Sequence, residues 1–230
     1  ACVAGYDADL RYYTTPHAMD DLDQVRQALG YEQINLWGGS YGTRAALVYM
    51  RRYPESTRSA MLDGAAPLAL TMPMHMAVDA QRALDRLFAA CAADTVCAAN
   101  FPDLGSRFTL LLDNLDTNPP KVPLQDPLSG AWNEVEINRD LVAGLVRAAL
   151  YSGHWSSLVP LMIDRALNGD YQPLMGLGGT WSGVSEGISL GMQLAVLCSE
   201  DVARIDSLND TPTFMGQKHA EFYLRGCQFF

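Results

Sequence analysis

Apolar residues recur at helical spacing early in the chain. Met19, Leu22, Val25 and Leu29 fall on one face and Gly30 follows as a stop, so residues 19–29 read as an amphipathic helix. The pattern then changes period. Ile34-Asn35-Leu36-Trp37 is a short apolar run of strand character, Gly38-Gly39-Ser40-Tyr41-Gly42 is a glycine-rich turn, and residues 43–53 are helix-compatible up to Pro54. Ser59-Ala60-Met61-Leu62 gives a second short strand, closed by Asp63-Gly64. Helix, strand, helix and strand at this spacing predict half of a parallel α/β sheet.

From about Pro67 the helical period takes over, with helices expected over residues 77–93, 108–115, 139–151 and 156–167. The stretch 118–133, with Pro119, Pro120, Pro123 and Pro127, reads as a loop inside this helical block. A last apolar run, Ile188 to Leu197, leads into Cys198-Ser199-Glu200-Asp201. The expected organisation is α/β: a part-sheet core over residues 1–65, then a mainly helical region over residues 66–230.

At 230 residues, 49% of them hydrophobic, the chain has enough apolar side chain for a real core. Sixteen basic against 26 acidic residues give a formal charge of -10, with the basic residues scattered. A nucleic-acid phosphate backbone or an anionic membrane surface would be repelled, so neither is expected as a partner. No apolar run reaches the length that spans a bilayer, and no signal peptide precedes Ala1, so the chain is expected either to begin after processing or to be cut from something longer.

Of five cysteines, Cys91 and Cys97 lie in a small-residue stretch where a helix could end and loop back into a short disulfide. Cys198 and Cys227 could form a second bridge, leaving Cys2 with a partner lost upstream or as a buried thiol. No second cysteine pair or histidine cluster completes a metal signature, and no cofactor is implied. Disulfides would place the protein in an oxidising compartment, secreted or periplasmic.

Gly38-x-Ser40-x-Gly42, between a strand and a helix, has the form of a nucleophile elbow. Such a turn needs small residues on either side so that strand and helix can pass, and it lifts the Ser40 hydroxyl to a helix N-terminus, where amides and dipole favour negative charge. The Tyr41 amide would then donate to a developing oxyanion, an effect of roughly 3 kcal/mol. The competing reading, a phosphate-cradling loop, lacks the Lys-Ser/Thr pair and the Gly-x-Gly-x-x-Gly pattern. His17, His75, His154 and His219 fit the Ser, acid, His order of this fold badly; Asp63 is a turn-former or an alternative triad acid.

Tyr12-Tyr13-Thr14-Thr15 with Ala18-Met19-Asp20-Asp21-Leu22, Val25-Arg26, Leu29-Gly30, the Trp37–Thr43 elbow, Tyr53-Pro54-Glu55, Leu62-Asp63-Gly64, Cys91 with Cys97, and Cys198-Ser199-Glu200-Asp201 together carry a resemblance. The chain resembles the tripeptidyl aminopeptidase and proline iminopeptidase-like serine peptidases of the α/β-hydrolase superfamily, strongly over residues 10–100 and in islands thereafter. The resemblance implies a catalytic core interrupted by a helical lid, roughly residues 66–200, and release of residues or short peptides from free N-termini. It implies Ser40 as nucleophile and Glu200, with Asp201 beside it, as the acidic group that meets the substrate amine. It also implies early strands before Ala1 and a triad acid and histidine after Phe230, so the chain is expected to be an internal fragment, inactive alone. An esterase or amidase of the same fold, or a non-catalytic binding protein that keeps it, are the alternatives. Lid loops such as residues 176–183 would set the cleavage preference.

Overall fold

In the computed structural model, residue 7 and residues 9–125, 129–177, 188–206 and 211–229 are described; Cys2 and most of the 176–183 loop lie outside them. These residues fall into two compact units. The first takes in residues 1–75, 189–209 and 220–230, and the second residues 76–188 and 210–219. This division differs from the expected 1–65 and 66–230, because the helix after residue 189 and most of the last helix pack with the N-terminal elements.

In the first unit, α1 (Thr15–Ala28) has Pro16 in its first turn, where a missing N–H costs nothing, and the chain reverses at Gly30 with φ 74°. It is followed by β1 (Ile34–Gly39), α2 (Tyr41–Arg52) and β2 (Thr57–Asp63). β1 and β2 pair in parallel, with Leu36 opposite Ala60, Trp37 opposite Met61 and Gly39 opposite Asp63. α2 packs on this sheet and α1 packs on α2, closing a core of Leu36, Ala46 and Tyr49 with Met19, Leu22, Ile34, Met50 and Tyr53 around it. On the sheet's other face the cross-strand neighbours Trp37 and Met61 are exposed, at 75% and 62%.

The second unit contains most of α3 (Met72–Ala93), then α4 (Thr95–Asn100), α5 (Leu104–Thr117), β3 (Lys121–Gln125), β4 (Trp132–Glu136), α6 (Arg139–Ala149), α7 (Gly153–Ser156) and α8 (Val159–Leu167). Its core centres on Leu84, Phe108, Leu111, Leu112, Val142, Val146, Val159 and Ile163, and Cys91–Cys97 ties the end of α3 to α4. β3 and β4 form an antiparallel hairpin where a loop was expected. The prolines misled: in a two-stranded ribbon each strand has an unpaired side on which Pro123 costs no ladder bond, while Leu124 turns into the core.

Back in the first unit, Ser189 accepts from the Met192 amide and starts α9 (Leu190–Glu200). α10 (Lys218–Gly226) is a helix that sequence reading missed; it is joined to α9 by the Cys198–Cys227 disulfide and by a Gln193 to Tyr223 hydrogen bond of 3.1 Å. Among the described residues no helix is long and apolar enough to cross a membrane.

Candidate active site

Ser40 stands at the junction of β1 and α2 with φ 52° and ψ -117°, a backbone state that a non-glycine residue holds only at a cost of about 1–3 kcal/mol. Three hydrogen bonds from two neighbours hold it there. The Ser40 N–H donates to the Asp63 carbonyl at 2.9 Å, and the Ser40 carbonyl accepts from the Thr43 N–H at 3.0 Å and the Thr43 hydroxyl at 2.6 Å. Thr43, wholly buried, in turn accepts from the Ala66 N–H at 2.8 Å, so the turn is fastened to the loop after β2. The Ser40 side chain is exposed, and Tyr41 begins α2, where the first amides have no intrahelical acceptor.

Steric necessity falls unequally on the two flanking glycines. A Cβ on Gly38 would lie 2.3 Å from the Gly42 carbonyl oxygen, whereas one on Gly42 would meet nothing within 4 Å. Gly38 is thus the residue that lets strand and helix pass, and Gly42 contributes its backbone.

Beside this turn, α9 ends on Glu200, which is brought to the N-terminus of α1. The Thr15 N–H donates to Glu200 Oε1 at 2.6 Å, and the Thr15 hydroxyl lies 3.0 Å from Oε2 and 2.7 Å from the Tyr41 phenol oxygen. Thr14, at the cap position, makes no side-chain cap bond, so Glu200 supplies the anion that this helix end favours. The Glu200 side chain remains 18% accessible. Burial above all pushes the Tyr41 phenol above its ordinary pKa, with the Glu200 charge adding to it, so it keeps its proton.

Asp201 is different in kind: it is completely buried and bound on both oxygens. Arg44 Nη1 donates to Oδ1 at 2.7 Å and Arg204 Nη2 at 2.9 Å, and the Met72 N–H donates to Oδ2 at 3.0 Å. Arg44 is itself buried, gives a second bond to the Leu70 carbonyl at 2.7 Å, and lies 4.0 Å from Glu200. Charges taken this far from water are tolerable only when paired and fully hydrogen-bonded, as here.

Ser40, Tyr41, Glu200 and Asp201 therefore come together in one unit. Thr15 and Thr43 stand in motifs that carry the resemblance but were given no role from sequence, and Arg44, which completes the arrangement with them, lies outside those motifs. Arg44 offered the one signal, a charge on the inward face of α2 between Thr43 and Ala46. The histidines are placed elsewhere: His17 Nδ1 is 2.7 Å from the Thr14 hydroxyl, His75 Nδ1 is 2.9 Å from the Thr71 carbonyl, and His154 lies on α7 against Trp155. His219 belongs to α10, its side chain outside the described set. Asp63 is exposed at the end of β2. Among the described residues no group of His, Cys, Asp and Glu side chains is placed to hold a metal ion.

Segments of the chain are similar in sequence to known proteins. The chain is 27% identical over 166 residues to the putative hydrolase YuaR of Escherichia coli K12, covering 69% of this chain and 32% of that protein. Over 91 residues it is 34% identical to the serine protease Hip1 of Mycobacterium tuberculosis, 38% of this chain and 18% of Hip1. Over 54 residues it is 41% identical to the tripeptidyl aminopeptidase of Streptomyces lividans, 24% of this chain and 10% of that enzyme. The matched segments thus span a third or less of these relatives. The alpha/beta hydrolase fold family matches residues 7–176, which include β1, the Ser40 turn, α2 and β2. The chain belongs to the alpha/beta hydrolase fold family.

Proposed function

We propose that this chain carries the nucleophile and the amine-binding carboxylate of an exported serine aminopeptidase. The observation that carries the reading is the backbone of Ser40: a positive φ, held by Asp63, Thr43 and Ala66, at the mouth of α2. Strain of this kind persists only where surrounding bonds over-determine it, and here it sets a hydroxyl in solvent at a helix N-terminus.

Ser40 Oγ attacks the scissile carbonyl carbon, its proton passes to a histidine base, and the carbonyl electron pair moves onto oxygen, where the Tyr41 N–H donates to it. Collapse expels the amine, which takes the proton, and water then hydrolyses the acyl-enzyme. His17 and His75 are engaged by Thr14 and Thr71, and no described hydrogen bond joins a histidine to Ser40. Glu200, accessible and with lone pairs left over on both oxygens, receives the substrate's free ammonium group; Asp201, bound on all sides, holds the end of α9 behind it. A peptide with a free N-terminus is the substrate, and the charge of -10 turns away nucleic acid and anionic membrane. The two disulfides support an oxidising, secreted or periplasmic location.

The test uses the complete gene product. A serine-directed fluorophosphonate should label it, and Ser40→Ala should abolish the label. A chromogenic peptide with a free N-terminus should be cleaved at least about tenfold faster than its acetylated form, the size of one lost charge-assisted contact. Equal rates would assign an esterase or amidase instead, and labelling that persists in Ser40→Ala would remove Ser40 from its role.

A further inference from the structure

We infer that Thr15 is a positioning residue that couples the amine-binding carboxylate of Glu200 to the oxyanion donor at Tyr41. The inference rests on the reading of Glu200 given above, and it follows from counting protons.

Thr15 is entirely buried at the first turn of α1 and is the one residue that touches both partners in the described hydrogen bonds. Its hydroxyl has a single proton and two polar neighbours, Glu200 Oε2 at 3.0 Å and the Tyr41 phenol oxygen at 2.7 Å. An ionised carboxylate can only accept, so the Thr15 proton goes to Glu200, and the Tyr41 phenol must donate to Thr15. The direction of the chain is thereby set: Tyr41 O–H to Thr15 Oγ1, Thr15 O–H to Glu200. The phenol, raised in pKa by burial, holds the proton this order requires.

The second half of the link is covalent. Tyr41 follows Ser40 directly and is the first residue of α2, so fixing its ring restrains the peptide N–H proposed to meet the oxyanion. The Thr15 main-chain N–H meanwhile anchors the other Glu200 oxygen at 2.6 Å. Binding an ammonium group at Glu200 therefore acts on a carboxylate that Thr15 grips by two donors, and movement of that carboxylate is felt at Tyr41 through one shared hydroxyl. Hydrogen bonds in series polarise and strengthen one another, which suits a relay between recognition and chemistry.

Thr15→Val removes the hydroxyl at nearly constant shape and keeps the main-chain bond to Oε1. In the complete gene product this variant should lose about tenfold in preference for a free over an acetylated N-terminus, as expected when a carboxylate loses one hydrogen bond. It should also slow fluorophosphonate labelling of Ser40, a reaction that needs no substrate amine. Thr15→Ser should restore both, and Tyr41→Phe, which deletes the donated proton, should reduce the free-over-acetylated preference as Thr15→Val does. Wild-type labelling in Thr15→Val would overturn the coupling, as would wild-type preference in Tyr41→Phe; the latter also decides the matter if Thr15→Val fails to fold. Equal cleavage of free and acetylated peptides by the wild type would instead sink the Glu200 reading, while the labelling rate would still test the link from Thr15 to Tyr41.

Discussion

A Cβ built on Gly38 stands 2.3 Å from the carbonyl oxygen of Gly42, closer than two such atoms approach in folded proteins. The obstacle is main chain on both sides, β1 beneath and the first turn of α2 above, so no side chain can swing away to make room. The relationship is one-sided, because Gly42 itself has open space where its Cβ would be and does not require a positive φ.

Gly38→Ala should therefore force β1 and α2 apart and displace the Tyr41 amide. Fluorophosphonate labelling of Ser40 is expected to fall about 100-fold, the cost of misplacing one oxyanion donor. Gly42→Ala should fold at least as well as the wild type, since alanine in a helix is favoured over glycine by about 0.5–1 kcal/mol. Equal loss of labelling in both variants would refute the steric account of the turn.

Thr43 is the fastening of the same turn. Its hydroxyl gives one bond and takes one, joining the Ser40 carbonyl to the Ala66 N–H inside the protein. Thr43→Val leaves the Ala66 donor buried without a partner and should destabilise by about 1–3 kcal/mol in urea denaturation. Thr43→Ser should recover most of that loss; if serine and valine are equally destabilising, packing of the methyl group and not the hydroxyl matters at this position.

The neighbouring acids of α9 should separate cleanly by assay. Asp201→Asn leaves the buried Arg44 guanidinium without its counter-charge and is expected to cost about 3–5 kcal/mol in stability. Glu200→Gln, at a partly accessible site, should cost no more than about 1 kcal/mol from the helix end it caps, while abolishing the preference for a free N-terminus. A stable Asp201→Asn protein with altered substrate preference would return Asp201 to the binding role that its position beside Glu200 first suggested.

What could be read from the chain beforehand was what depends on neighbours in sequence. The Ser40 turn follows from glycines within two residues of it, and β1 and β2 follow from short apolar runs; α1 was marked by four apolar residues, of which Met19 and Leu22 pack on the core while Val25 and Leu29 are exposed. The rest is made by distant pairings. Thr15 and Glu200 are 185 positions apart and Arg44 and Asp201 157 apart, so neither pair leaves a local trace beyond an unexpected charge on the buried side of α2. β3 was hidden by Pro123, which a ribbon tolerates and a sheet interior does not. α10 was hidden by composition: its buried face is set by Ala220 and Tyr223 at helical spacing, a short signal among Lys218, Glu221 and Arg225.

Acid should loosen the contact between α1 and α2 through Asp23. Its carboxylate, buried, is held below the usual range by the Arg26 hydrogen bond above all, with Gln27 and Tyr49 adding to it against the opposing effect of burial. Tyr49 donates to it from α2 at 2.9 Å, Arg26 from α1 at 2.7 Å. An unfolded aspartate takes up its proton near pH ~4, and the folded one only at lower pH, so between these points the unfolded chain binds more protons and stability rises with pH. The stabilisation is accordingly complete above about pH 4 and lost as pH falls through the folded-state pKa; Asp20, lowered chiefly by Tyr53, shares the direction. Asp23→Asn should be less stable than the wild type at pH 7 yet lose less between pH 5 and 3 in urea titrations, whereas parallel losses in the two proteins would show that the acid sensitivity arises elsewhere.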